Sequence, residues 1–569
     1  MRPTPAPTTL LGAACAALLG GALILAIFGW QIVPPSHTGW MLSGQIGPDP
    51  VQYWLGWTYF RLVPWALPPG VNPLFGMELS SSIFYADSIP LLAFAFKALR
   101  GLVEVDQYWG MWIVACGALQ GWLAWRLIGR LTEAPLARLA GAMIFVLQPM
   151  LLNRMGGHFA LAGQWLILWG LLLVLSPAGR LRAAGWAALV LAASLIHSYI
   201  LPMVLALWVA DWWSRRSLAE AAIVPAAGIA GLWAAGFFVL GAGHGNDQYG
   251  TMQLDLLALF DPAFWGGFLP DLPDPDHPES GSSYLGLGAL LLLPFLLFVP
   301  PRRRLIPLML VLAAMLVFAV SHRVTIGGTE IATVPLPDRV VTLFGMLRCS
   351  ERYVWPLAYA LILAGMAGLL RAFGPRWGGF ALLALLLVQA TDLRPGYARI
   401  AHFFPPTADQ LPLRLADPFW AQAAQRYHAV RLVPAGNQGR GWEEVAVFAA
   451  RHGMPTDAMY LARADAGAID RLRADIAERL AEGRYEPGVF YVLRDPETVE
   501  LARAGMQEGR DALIQADGLD VLAPDWIVTS TIALTKRIPI ASGEGLPPGV
   551  PAAPPGLENL DADPQPPRL

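Results

Sequence analysis

The sequence predicts an all-α polytopic membrane bundle of about eleven transmembrane helices, followed by a small α/β domain. Three observations point there. Of 569 residues, 55% are hydrophobic and only 14% are charged, whereas soluble domains carry about 25% charged residues. Apolar runs approaching the ~20 residues that cross a bilayer recur from the N-terminus to Thr391. Lys and Arg collect in the short connectors between these runs, on alternate sides of successive spans, as the positive-inside rule requires.

The first run, Thr9 to Trp30, is about twice the length of a signal-peptide core of ~7 to 15 residues, which predicts a retained span. Its Ala and Gly residues leave cleavage open. Further runs fall at 108–128, 136–151, 158–175, 183–196, 199–213, 218–240, 285–300, 305–320, 354–372 and 378–391. With the N-terminus inside, the connectors holding Arg126, Arg130 and Arg138, then Arg180 and Arg182, Arg215 and Arg216, Arg302 to Arg304, and Arg371 and Arg376 all lie inside. The opposite loop from Gly241 to Tyr284 has no Lys or Arg and seven acids. An odd number of spans then puts the C-terminus outside.

The run from Asp87 to Leu102 is too short for a span and would invert every later connector, so it is assigned to the membrane interface. The first outer loop therefore extends over about 31–107 and holds two amphipathic pieces rich in aromatic rings, which suit headgroup depth. Outward basic residues, which the topology rule disfavours, occur at Arg61, Lys97, Arg100, Arg154, Arg348 and Arg352.

The organisation read from this is a membrane domain over 1–392, a soluble α/β domain over 393–542 and a Pro-rich tail, expected to be disordered, over 543–569. In the soluble part, "YHAVRLV", "DAMYLAR", "GVFYVLR" and "LDVLA" read as strands, alternating with helical stretches around Trp442 to His452 and Ile469 to Glu482. The segment "GNQGRG" lacks dinucleotide-binding spacing and reads as a turn. Cys15, Cys116 and Cys349 have no paired spacing, so neither a disulfide framework nor a metal site is predicted. The scattered basic residues form no nucleic-acid face.

Candidate chemistry gathers on the outer side. Asp49 heads "GPDPVQYWLGW", with Gln52 in the same segment. A carboxylate there is suited to take a proton from an acceptor hydroxyl at the membrane surface, and Asp before Pro equally fits a helix N-cap. Asp87 in "YADSIP" carries the same two readings. His158 and His197 fall at outer ends of spans, each either a substrate contact or a structural residue. The segment "RCSERYVWP" adds Arg348, Glu351 and Arg352, where Glu351 and Arg352 also fit an ion pair anchoring a helix start.

The order of one span, "GPDPVQYWLGWTYFR", "NPLFGMELSSSIFYADSIPLLAFAFK", "GGHFALAGQW", "IHSYIL" and "RCSERYVWP" resembles an uncharacterised bacterial membrane family within the GT-C glycosyltransferase superfamily. The resemblance implies a GT-C-like fold in the bacterial inner membrane, with the C-terminal domain periplasmic. It implies transfer of a sugar from a polyprenyl-phosphate donor to a glycan, lipid or protein acceptor. Asp49 would be the base and Asp87 a second acid; Arg61, Lys97, Arg348 and Arg352 would meet the lipid phosphate. His158, His197 and Tyr199 would contact sugar or acceptor, with Gln52 and Glu351 as further substrate contacts. "PDP" stands where many relatives pair two acids, which leaves a divalent cation open, and no other cofactor is expected. Rival readings are a lipid or glycan transporter, which needs polar residues deep in its spans, and a non-catalytic membrane scaffold.

Overall fold

The structure, a computed structural model, describes residues 7–177, 179, 181–240, 248–272, 281–404, 415–437, 439, 441–461 and 463–529. Arg180, Gln438, Arg440, the acids Asp247, Asp274, Asp276 and Glu279, and the Pro-rich tail lie outside the described residues.

The chain is mostly helical, with a small sheet near its C-terminus. Among the described residues, five helices are long and apolar enough to cross a membrane: Leu10–Phe28, Trp109–Ile128, Leu218–Ala235, Arg303–Val320 and Ser350–Asp392. A sixth span arises if Pro135–Val146 and Pro149–Met155, bent by 50°, count as one. The other predicted runs are helical but shorter, at Phe159–Leu175, Arg182–Ile196, Ile200–Trp213 and Leu287–Phe298. A 15-residue helix such as Arg182–Ile196 rises about 22 Å, short of the ~30 Å hydrocarbon core. Apolar runs read from sequence thus overcount helices of full membrane length. The runs predicted at 354–372 and 378–391 form one helical stretch broken at Gly374, whose φ of 73° and ψ of 170° are non-helical, and Pro375 withholds a backbone donor there.

Small residues set a close helix contact. The N-terminal helix packs along Trp109–Ile128, and a Cβ at Gly121 would stand 2.4 Å from the Ala16 carbonyl oxygen. Such close backbone approach is how helices gain van der Waals contact where hydrocarbon supplies no hydrophobic drive. Gly121→Leu is expected to wedge the pair apart at a cost of about 1–3 kcal/mol. The thermal unfolding midpoint in detergent reads this, and an unchanged midpoint would refute the contact.

Several polar side chains are buried inside the bundle. The Gln120 amide donates to Tyr359 Oη at 2.9 Å, and that hydroxyl donates to Gln164 Oε1 at 2.6 Å. Gln164 Nε2 donates to the Met150 carbonyl at 2.8 Å and Gln389 Nε2 to the Leu147 carbonyl at 3.3 Å. The last two bonds fall around the bend between Pro135–Val146 and Pro149–Met155. Backbone groups freed by a break in an apolar helix need such partners.

The bundle has two chemically distinct ends. At one, Arg130 Nη2 meets Ser176 Oγ at 2.9 Å, and Arg182 and Trp186 both reach Asp211, at 2.8 and 2.7 Å. The other end carries the long loop after the first helix and, above it, the C-terminal domain. Asp392 ties the last membrane helix to Tyr284 and Leu287: its carboxylate accepts the Tyr284 hydroxyl at 2.8 Å and the Leu287 N–H at 2.9 Å.

A hairpin of β1 (Arg323–Ile326) and β2 (Thr329–Thr333) follows the Arg303–Val320 span. In the C-terminal domain, β3 (Ala429–Val433) pairs in parallel with β6 (Val489–Leu493). β8 (Leu519–Ala523) runs antiparallel to both β6 and β7 (Ala512–Ala516), giving the order β3-β6-β8-β7. Two-residue strands β4 (Gly436–Asn437) and β5 (Ala458–Met459) form a parallel pair beside it. Asp417, Asp465 and Asp495 cap helices by accepting the N–H groups of Phe419, Ala468 and Thr498, a common reason for acids at such positions. The predicted strands correspond to β3, β5, β6 and β8; β7 was not anticipated, nor was β4, which takes the first two residues of "GNQGRG", read from sequence as a turn.

This domain is joined to the long outer loop by polar contacts. The Tyr59 hydroxyl donates to the Met454 carbonyl at 2.8 Å, and the Gly76 N–H donates to the Thr456 carbonyl at 2.9 Å. Arg431, 2% exposed, reaches Glu78 of the loop at 2.6 Å, Asp457 at 3.1 Å and Glu486 at 3.0 Å. One guanidinium thus bonds three carboxylates, and Glu78 is the one that lies across the junction.

Candidate functional site

The segment 48–62 places the first acid. Pro48 precedes a helix, Asp49–Leu62, in which Asp49 is the first residue and Pro50 the second. Proline fits the first helical turn, where an N–H has no partner in any case. Neither acid serves as the cap that the sequence allowed: the caps are Pro48 for this helix and Ile89 for Pro90–Leu99, without side-chain capping bonds.

Asp87 is presented by a strained turn. Its φ is 52° and that of Ile89 is 49°, a left-handed conformation that costs a β-branched residue most. Neighbouring groups hold the turn. Ser88 Oγ donates to the Tyr53 carbonyl at 2.8 Å, the Tyr108 hydroxyl donates to the Ser88 carbonyl, and Asn72 Nδ2 donates to the Gly56 carbonyl at 2.9 Å. At Gly56 a Cβ would lie 2.4 Å from the Ala86 Cβ, so only glycine lets the helix approach.

Two Asp–His pairs result. His158 Nε2 lies 3.1 Å from Asp49 Oδ2, and His197 Nε2 lies 3.6 Å from Asp87 Oδ2. The His197 Nδ1 accepts the Tyr199 N–H at 3.0 Å, which assigns the ring proton of the neutral form to Nε2, on the Asp87 side. Asp49 is also an acceptor for the Tyr460 hydroxyl of the C-terminal domain.

The electrostatics at Asp49 are opposed. Burial pushes its carboxyl up to about 6, and the Asp87 charge adds to that; the Tyr460 hydroxyl and the charges of Arg352 and Arg348 pull it down. Tyr53, one turn after Asp49, is buried near both acids, and burial followed by their charges drives its phenol well above its ordinary value.

The arginines are held by the turn that opens the last membrane helix, Arg352 within it and Arg348 just before it. The Cys349 N–H donates to the Tyr199 hydroxyl at 3.2 Å, Ser350 Oγ to the Ala319 carbonyl at 3.0 Å and the Glu351 N–H to the Met252 carbonyl at 3.2 Å. The Arg352 guanidinium lies 5.0 Å from the Tyr199 ring centre, and Arg348 Nη1 meets Gln248 Oε1 at 2.6 Å. Glu351 is buried within this turn. The C-terminal domain touches the same segment, with Arg463 Nη2 on the Met346 carbonyl at 2.8 Å.

Asp49, Asp87, His158, His197, Tyr199, Arg348 and Arg352, all singled out in the sequence, therefore gather at one end of the bundle. Three others do not join them. Gln52 is buried with its amide on the Tyr85 carbonyl at 3.0 Å. Arg61 pairs with Asp106 at 2.8 Å, at the far end of a helix that rises about 18 Å from Asp49. The Lys97 ammonium lies 3.8 Å from the Phe60 ring centre and 4.6 Å from that of Trp65. Sequence reasoning missed Tyr53, which helical spacing from Asp49 could have revealed, and Tyr460, which no local pattern marks. Among the described residues no three His, Cys, Asp or Glu side chains converge.

Residues 17–394 match the family described as Domain of unknown function (DUF6311), and 419–524 match the DUF6311 C-terminal domain. The chain belongs to the DUF6311 family. Both family segments contribute to the site, Asp49 and its neighbours from the first and Tyr460 from the second. None of the curated proteins matches this chain.

Proposed function

We propose that this protein is a glycosyltransferase of GT-C type that moves a sugar from a polyprenyl-phosphate donor to a glycan, lipid or protein acceptor. The reaction takes place on the periplasmic face of a bacterial inner membrane. The observation that carries the reading is the Asp49 carboxylate, semi-enclosed, paired with His158 and influenced by two arginines. A carboxyl titrating at about 6 is ionised near neutral pH yet more basic than an ordinary aspartate, which is what a general base needs. On this reading all eleven apolar helical segments traverse or enter the bilayer. Arg130, Arg182 and Arg215 then mark the cytoplasmic end, and the Asp–His pairs the outer one.

In the reaction, an acceptor hydroxyl gives its proton to Asp49 as its oxygen forms a bond to the anomeric carbon. The bond from that carbon to the phosphate oxygen breaks, and the electron pair leaves with the lipid phosphate. Arg348 and Arg352 stabilise the charge on that phosphate. His158 orients the Asp49 carboxylate, and His197, with its proton toward Asp87, keeps the second acid fixed. The donor's lipid tail stays among the apolar helices while its sugar reaches the site, so the reactants are concentrated in the bilayer.

Purified protein in lipid nanodiscs, incubated with labelled polyprenyl-phosphate sugars and a panel of glycan, lipid and peptide acceptors, is expected to transfer label. No transfer across a broad panel would sink the proposal.

A further inference from the structure

Tyr460 is the part of the site that comes from the other family segment. It follows β5, whose register is fixed from both sides. Thr456 forms bridges to Phe75 of the outer loop and Val430 of β3, and β5 pairs with β4. The Met459 side chain packs against Gly76, where a Cβ would stand 2.9 Å from its sulfur. The Tyr460 ring is set edge-to-face against Trp442, with centroids 5.8 Å apart, and Trp442 is itself buried. The phenol is therefore held by packing at its ring and by strand pairing at its backbone. Its hydroxyl reaches the Asp49 carboxylate.

We propose that Tyr460 is a positioning residue for Asp49, so that the base is complete only when the C-terminal domain is docked on the first outer loop. This rests on the transferase reading for its consequence in catalysis, though the contact itself does not. A hydroxyl donating to a carboxylate favours the charged form and fixes which oxygen faces the acceptor. Without it the carboxylate loses one donor, and its proton affinity rises.

The test uses the full chain in nanodiscs and the conservative variant Tyr460→Phe, which keeps the ring against Trp442. Asp49 protonation is followed by infrared difference spectra, each protein against the same protein carrying Asp49→Asn. The expected result is a midpoint raised by about one pH unit in Tyr460→Phe. Transfer by the variant is expected to show kcat lowered about tenfold with KM for the lipid donor unchanged, and an acid limb displaced upward by the same amount as the infrared midpoint. An unmoved infrared midpoint overturns the proposal, whatever the activity. A moved midpoint with an unmoved acid limb overturns the positioning role. If the native protein transfers no sugar, the transferase reading falls, and the infrared midpoint alone still decides whether Tyr460 controls Asp49.

Discussion

Asp49→Asn is expected to lower sugar transfer by about a hundredfold to ten-thousandfold, the range in which positioned general bases contribute. KM for the lipid donor should change little, because Asn keeps the shape of the side chain and Arg348 and Arg352 are untouched. In the native protein, transfer should rise through about pH 6 and level off above it, since the Asp49 carboxyl is pushed up to about 6 and only its ionised form accepts a proton. That limb should vanish in the variant. Stability should move the other way. A carboxyl whose folded value lies above its usual 3.8 binds its proton more tightly when folded. The associated stability is present below about pH 4 and is lost as pH rises to about 6. At one unit per about 1.4 kcal/mol this amounts to at most about 3 kcal/mol, reduced by solvent reaching a side chain that is 18% exposed. Asp49→Asn should therefore melt higher than native at pH 7.5 and together with it at pH 4. Full turnover in the variant, or a lower melting point at pH 7.5, would remove Asp49 from the role assigned to it.

Arg431→Met carries the second large effect. The guanidinium is 2% exposed and Asp457 beside it is fully buried, while Glu78 and Glu486 stay partly in solvent. Removing the charge leaves Asp457 desolvated without its cation, a situation that costs about 3–5 kcal/mol. Glu78→Gln should cost much less, because a side chain that is 53% exposed recovers water when its partner goes. The expected result is early proteolytic release of the C-terminal domain in Arg431→Met and near-native resistance in Glu78→Gln. Since the domain brings Tyr460 to Asp49, Arg431→Met should also raise the acid limb of transfer, as Tyr460→Phe does. Stability of Arg431→Met within about 0.5 kcal/mol of native would show that the cluster does not hold the junction.

The sequence by itself determined where helices form, because apolar periodicity and turn chemistry are local. The helical segments match the apolar runs, and Gly374 with Pro375 marks the break in the last long helix. Alternating connector charge also grouped Asp49, Asp87, Arg348 and Arg352 on one side in the sequence, and the structure gathers these four at one end of the bundle. Tertiary structure alone decided which of those residues meet. Asp49 faces His158 and Asp87 faces His197 because helix packing and a strained turn bring distant segments together, and no local spacing encodes that. Arg61 and Lys97 carry the same charge as Arg348 and Arg352, yet one pairs with Asp106 and the other lies among aromatic rings. Residue type reports what a side chain can do, and the long-range packing of the chain fixes which partner it does it with. Tyr460 shows this most clearly: nothing near it in the chain marks it, and docking on the first outer loop brings it to Asp49.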